Sequence, residues 1–157
     1  MVSINKFMQE LTIDYALRAT WQAVARLYNE EAKNFDTTMA VGFTLLSIDP
    51  KTGTPSTALG PKMGMEATSL SRILKSMEDK GLIRRKPNPN DGRGVLIHLT
   101  EFGLEKRKDS KDVVLRFNEV IKQNVSDEKL TSFFEVIDTI NKLVTDKKIY
   151  SKDSKTN

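Results

Sequence analysis

At 157 residues, 38% hydrophobic and 29% charged, the chain is sized for one globular domain with a real core, too ordered in composition for a disordered segment and short for two domains. It has no cysteine and a single histidine, His98, which excludes disulfides, thiol redox sensing and cysteine nucleophiles and leaves a transition-metal site little but carboxylates, so no metal or cofactor is expected. The net charge of +4 is concentrated: between Lys62 and Arg93 there are eight basic and four acidic residues, while the remaining 17 of each sign cancel. A local positive patch on a neutral body suits a polyanion-binding module, although a solvated surface would give the same count.

Ile4, Phe7, Met8, Leu11 and Tyr15 recur at helical spacing, and Leu17, Trp21, Val24 and Tyr28 form a second stripe. Together they predict a long N-terminal helix with a wide apolar arc, able to bury against its own core and against a partner subunit. Its opening carries Lys6, Glu10, Asp14 and Arg18, which is unlike a signal peptide, and no apolar run approaches the ~20 residues of a membrane span. A cytoplasmic location with no membrane partner is expected. Thr37 to Ile48 reads as a second, buried helix, ended by the turn Asp49-Pro50-Lys51-Thr52-Gly53.

Thr54 before Pro55 predicts a helix start, with threonine as cap and proline in the first turn. This short helix meets Gly64, a turn residue, and Pro61 inside it removes a backbone donor, which predicts a late start or a distortion. Glu66 to Lys80 is expected as the next helix, stopped by Gly81. Leu82–Lys86 and Val95–Leu99 are short alternating segments on either side of Pro87 to Gly94, the pattern of a β-hairpin with a polar, flexible tip. Thr100 caps a further helix with apolar positions Leu104, Val113, Val114, Phe117, Ile121 and Val125. Ser126 starts the last one, with the stripe Leu130, Phe133, Phe134, Ile137, Ile140 and Val144, and residues 147–157 read as a frayed polar tail.

The informative object is the short helix, turn, longer helix and hairpin between Thr54 and Thr100. In the longer helix Leu70, Ile73, Leu74 and Met77 occupy one face. The other carries Thr68, Ser69, Arg72, Lys75 and Ser76. Small hydroxyls allow close approach to a major groove, and an arginine can bind guanine O6 and N7 with two hydrogen bonds. Taken alone, this helix reads better as an ordinary solvated face. The hairpin adds Arg84, Arg85 and Lys86 on its first strand, placed for a phosphate backbone, and Arg93 among glycines at its tip, placed for a minor groove. Asp91, two residues before Arg93, can hold the loop or orient that arginine.

Leu59-Gly60-Pro61-Lys62-Met63-Gly64-Met65, Leu70-Ser71-Arg72 and Met77-Glu78-Asp79-Lys80-Gly81-Leu82-Ile83-Arg84-Arg85 resemble, in order and without a gap, the helix-turn-helix of bacterial MarR-type regulators. Asp91-Gly92-Arg93 followed by Leu99-Thr100 and Gly103 resembles that family's wing signature. The resemblance covers the central 50 residues closely and the flanking helices by layout only. It implies a single domain over residues 1–157, mainly α with a small β-hairpin wing: a winged helix-turn-helix over 37–99, with dimerisation helices in 1–35 and 100–146. It implies a homodimer on a pseudo-palindromic double-stranded operator, with half-sites ~10–10.5 base pairs apart. It further implies repression relieved by a small, often aromatic ligand. By position, Thr68, Ser69, Ser71, Arg72 and Lys75 would meet the major groove and Arg93 the minor groove. Tyr15, Trp21, Phe35 and Phe43 are candidate ligand-pocket residues, though aromatics at helical spacing are more often core.

Two features depart from the family pattern. Gly92 stands where many members carry a basic residue, which removes one candidate phosphate contact. Glu66, opening the recognition helix, would repel phosphate but could accept from cytosine N4. Two other readings of the same segment exist. A winged-helix module could present its basic hairpin to an acidic protein partner. An enzyme would have to act through carboxylates, lysine or tyrosine, and none cluster recognisably; His98 reads as a packing or surface residue.

Overall fold

A computed structural model of the chain describes residues 12–151. The stripe residues Ile4, Phe7, Met8 and Leu11 and the last six residues of the tail lie outside these. The elements in chain order are α1 (Ile13–Lys33), α2 (Met39–Ser47), β1 (Thr54–Pro55), α3 (Ser56–Met63), α4 (Ala67–Asp79), β2 (Ile83–Asn88), β3 (Asp91–Leu99), α5 (Glu101–Asn124) and α6 (Asp127–Thr145). No described helix is long and apolar enough to cross a membrane. The chain divides into two compact units at Val113–Val114, inside α5.

The first unit holds the core. Val41, Leu45 and Ile48 of α2 and its end, Leu59 of α3, Leu70, Leu74 and Met77 of α4, and Leu82, Ile83, Ile97 and Leu99 of the hairpin form one buried cluster. The apolar face expected of the longer helix therefore packs inward, and Met77, Leu59, Leu45 and Ile97 are fully buried. This cluster draws every member from the segment 41–99, so the helix-turn-helix and its hairpin carry their own hydrophobic stabilisation.

Local chemistry sets the helix ends. Thr38 caps α2 by accepting the Val41 N–H. Both helices of the helix-turn-helix end on a glycine in the left-handed region, Gly64 at φ 61° and Gly81 at φ 70°. At each, paired hydrogen bonds close the last turn. Met65 N–H reaches Gly60 O and Gly64 N–H reaches Pro61 O; Leu82 N–H reaches Met77 O and Gly81 N–H reaches Glu78 O. Thr100 caps α5 through the Gly103 N–H at 2.9 Å.

The expected start at Thr54 is corrected. Thr54 and Pro55 are extended and form β1, which pairs with Ile97 and Leu96 of β3. The helix begins at Ser56, with Pro55 as its cap residue. The Thr54 hydroxyl is instead committed to the preceding turn, accepting Asp49 N–H at 2.8 Å, while Asp49 Oδ1 accepts from Lys51 and Thr52. Those backbone donors hold the Asp49 carboxyl below the ordinary aspartate value. The helix does not start late on account of Pro61, which sits within it.

The hairpin is longer than its alternating residues predict. Its antiparallel sheet has the order β1-β3-β2, and β2 pairs with β3 from Ile83↔Leu99 to Asn88↔Asp91 with an irregularity between Pro87 and Asn88. Pro87 is tolerated because β2 is an edge strand. Asp91, Gly92, Arg93 and Gly94 thus belong to β3 rather than to a loose tip, and Pro89 and Asn90 make the connection.

The second unit contains the later part of α5 and α6. No residue of α6 is buried, although its stripe is apolar: Phe133 and Phe134 are 53% and 64% exposed and meet edge to face at 5.3 Å.

Candidate nucleic-acid interface

The outward face of α4 is built by the same periodicity that buries its inner face. Thr68, Ser69, Ser71, Arg72 and Lys75 are all exposed, and Ser76 is half-buried. Among the described residues no acidic partner engages Arg72 or Lys75. An unpaired guanidinium flanked by short hydroxyls offers donors to base edges without filling the space a duplex needs.

Strand alternation separates the basic residues of β2. Arg85 shares a face with Ile83 and lies opposite Ile97, on the side turned to the helices; there its Nε donates to Glu78 Oε2 at 3.0 Å. Arg84 and Lys86 fall on the other face, with Arg84 directly across from His98. The predicted group Arg84 and Arg85 therefore splits. Arg84 stays exposed to solvent beside Lys86, and Arg85 ties the wing to the end of α4. Burial, then the charges of Lys86 and Arg84, lower the pKa of His98 below its ordinary value. The imidazole lies against Gly53, where a Cβ would come within 2.8 Å of it.

At the hairpin end the Asp91 carboxylate folds over the backbone of Gly94, whose missing side chain makes the room: a Cβ there would stand 2.8 Å from Asp91 Oδ2. Arg93 takes its place on the β3 backbone, and its side chain lies outside the described atoms.

Three structural roles had no signal in the sequence. Lys62, counted with the basic segment, donates at 2.7 Å to Ser47 O and closes the C-terminal end of α2. Asn29 of α1 accepts the Met39 N–H at the start of α2. The Glu78–Arg85 pair depends on strand orientation, which composition does not reveal.

Of the four aromatic pocket candidates, Trp21 and Phe43 come together, stacked at 6.4 Å between centroids. Tyr28, not among the candidates, meets Phe43 edge to face at 5.6 Å. Phe35 is half-buried, while Tyr15 is exposed beneath the Arg18 guanidinium. A shallow cleft of about 330 Å³ lies elsewhere, between α3 and the start of α4, lined by residues that include Thr57, Pro61, Met65, Glu66 and Leu70. No group of His, Asp or Glu among the described residues is arranged to hold a metal ion.

Residues 38–95, which span α2 to β3, match the family model described as the MarR family. That match takes in 58 of the 157 residues, and over them the chain is similar to the MarR family. It is 37% identical over 78 residues to the multiple antibiotic resistance protein MarR of Escherichia coli, a match covering 50% of this chain and 54% of that protein. The match spans about half the length of these curated relatives, among them the HTH-type transcriptional regulator YdgJ of Bacillus subtilis, 33% identical over 79 residues that cover 50% of this chain and 48% of that protein. Among solved structures, the MepR–DNA complex of S. aureus superposes with a TM-score of 0.77 at 20% identity, covering 85% of this chain and 98% of that one. The PcaV regulator of Streptomyces coelicolor with its natural ligand gives 0.71 at 21% identity, covering 84% and 93%. These two establish the winged-helix fold. In the terms of that fold, α3 and α4 are the helix-turn-helix, β2 and β3 the wing.

Proposed function

We propose that this chain is a regulator of the MarR type, sequence-specific for double-stranded DNA and acting on transcription as a homodimer. The carrying observation is the continuous exposed face of α4, Thr68, Ser69, Ser71, Arg72 and Lys75, on a helix fixed by its own buried core, together with Arg84 and Lys86 exposed on the far face of the wing. In this reading α4 enters the major groove, Arg84 and Lys86 neutralise phosphate, and Arg93 reaches the minor groove. The operator is a pseudo-palindrome with half-sites ~10–10.5 base pairs apart, and the protein acts in the cytoplasm.

The dimer reading rests on the terminal helices. On α1, Ile13, Leu17, Trp21 and Leu27 are exposed, and α6 buries none of its apolar stripe. Such faces are costly to leave in water, and a second copy of the chain is their proposed cover. This assigns residues 1–35 and 100–146 to dimerisation within one functional domain. Repression relieved by a small, often aromatic ligand is the proposed regulation. The Trp21–Phe43 stack is its best-supported contact, and the likeness in fold to ligand-bound PcaV is its precedent.

Fluorescence anisotropy with a duplex from upstream of the protein's own gene, against a scrambled duplex and across a salt series, tests the reading. Preference for the native duplex with a steep salt slope is expected. Absence of binding even at low salt would favour the protein-contact module.

A further inference from the structure

We propose that Glu66 selects a cytosine in each operator half-site, an inference that rests on the DNA-binding reading above. Glu66 is the residue immediately ahead of α4, with extended backbone angles of φ −64° and ψ 143°, and it is exposed. Glu66, expected as the first residue of the helix, is instead its cap residue, with α4 beginning at Ala67, and it lines the cleft between α3 and the start of α4. Its carboxylate makes no capping hydrogen bond, and no described residue pairs with it. Serine, threonine, aspartate and asparagine are the residues that cap well, so capping does not explain a glutamate at this position. Nothing packs over it either, because the cleft it lines with Gly64, Met65 and Ala67 is open.

On a surface meant for phosphate, an unspent carboxylate is unfavourable unless something on the duplex donates to it. Recognition helices present their N-terminal residues to base edges. The major groove offers two amine donors, cytosine N4 and adenine N6. Adenine sets the N7 acceptor beside its amine and suits an amide side chain, which leaves cytosine N4 as the donor matched by glutamate. The phosphates and the O6 and N7 of guanine offer only acceptors. A carboxylate at the head of α4, with Arg72 about 1.7 turns further along, thus combines a cytosine reader with a guanine reader on one helix. It also discriminates negatively, since a site with an acceptor opposite Glu66 meets repulsion.

The test is selection of duplexes from a randomised library by the full-length wild-type protein, Glu66→Gln and Glu66→Ala. The wild type should enrich C·G at one symmetry-related position per half-site, by about tenfold over the other pairs. Glu66→Gln should move that position toward A·T, since glutamine pairs with adenine N6 and N7, and Glu66→Ala should flatten it. All other positions should keep their preference. Identical preferences in the three proteins would overturn the assignment while leaving the regulator reading intact, as would a uniform change in affinity without a change in sequence. If the wild type enriches no sequence at all, the DNA-binding reading falls and this inference falls with it. A purely structural role at the helix end would alter thermal stability and not base preference, so melting curves of the three proteins accompany the selection.

Discussion

The Thr100 hydroxyl donates a 2.6 Å hydrogen bond to the carbonyl of Gly81, joining the start of α5 to the turn that ends α4. The same oxygen accepts the Gly103 N–H at 2.9 Å and lies 3.2 Å from Leu82 O, while Thr100 N–H donates to Leu82 O at 3.1 Å. Thr100 therefore ties together the end of α4, the residue that precedes β2 and the start of α5.

Thr100→Ala removes the cap and the bond to Gly81 together, and is expected to cost about 1–2 kcal/mol, read as a lower melting temperature. Thr100→Ser keeps the oxygen and should restore most of the loss. Gly103→Ala is expected to be worse than Thr100→Ala, because the added methyl would collide with the Leu82 carbonyl, a backbone atom that cannot turn aside. If the melting temperature of Gly103→Ala matched that of the wild type, α5 would not approach the wing as closely as described.

Base contacts and phosphate contacts separate by their dependence on sequence and salt. Arg72→Ala should lose discrimination worth about 1–3 kcal/mol between cognate and mutated half-sites. Arg84→Ala and Lys86→Ala should each weaken binding to all duplexes alike and reduce the slope of log K against log salt by about 1. Arg85→Ala belongs to neither class. Its pair with Glu78 is about 40% exposed on both sides, so a double-mutant cycle with Glu78→Ala should give a coupling of no more than about 1 kcal/mol. Equal salt slopes for Arg84→Ala and wild type would remove Arg84 from the interface.

What was legible in the sequence follows from what periodicity encodes. The inner face of α4, the glycine stops at Gly64 and Gly81 and the cap at Thr100 are local patterns, and each stands where the spacing puts it. The strand β1 was not legible, because Thr54-Pro55 carries two meanings. The same pair opens many helices, and only its partners Ile97 and Leu96, some 40 residues away, decide that it pairs as a strand. Arg84 and Arg85 looked equivalent for a similar reason. Alternation sends them to opposite faces, but which face meets α4 depends on the register with β3. Lys62 gave no sign of its role because its acceptor, Ser47 O, is a backbone atom brought near by packing.

Assembly makes the next prediction. The full-length protein should sediment as a dimer, and Phe133→Glu should shift it toward monomer at micromolar concentration, since a charge on an apolar face is unfavourable to bury without a partner. Phe133 is 53% exposed in the single chain, so the substitution should leave the melting of the first unit's core unaltered. A wild-type monomer at all concentrations would refute the homodimer, and with it the paired half-sites.

The last prediction concerns pH. Burial and the flanking charges of Lys86 and Arg84 lower the pKa of His98 in the folded chain, whereas the unfolded chain keeps the ordinary value near 6.5. Below that value the unfolded state binds the proton more readily than the folded one. Stability therefore rises with pH across this range; it is fully present above about 6.5 and declines as pH falls toward the folded value. Asp14 and Asp49, whose pKa values are lowered from 3.8, would lose their contributions only in more acidic solution, so they do not obscure the effect. Urea denaturation from pH 7.5 down to pH 5.5 should show falling stability in the wild type and a flatter profile in His98→Gln. An equally steep profile in His98→Gln would assign the pH dependence to other groups. A gain in stability of the wild type on acidification would mean that the folded chain favours charged His98, contrary to its position between Arg84, Lys86 and Gly53.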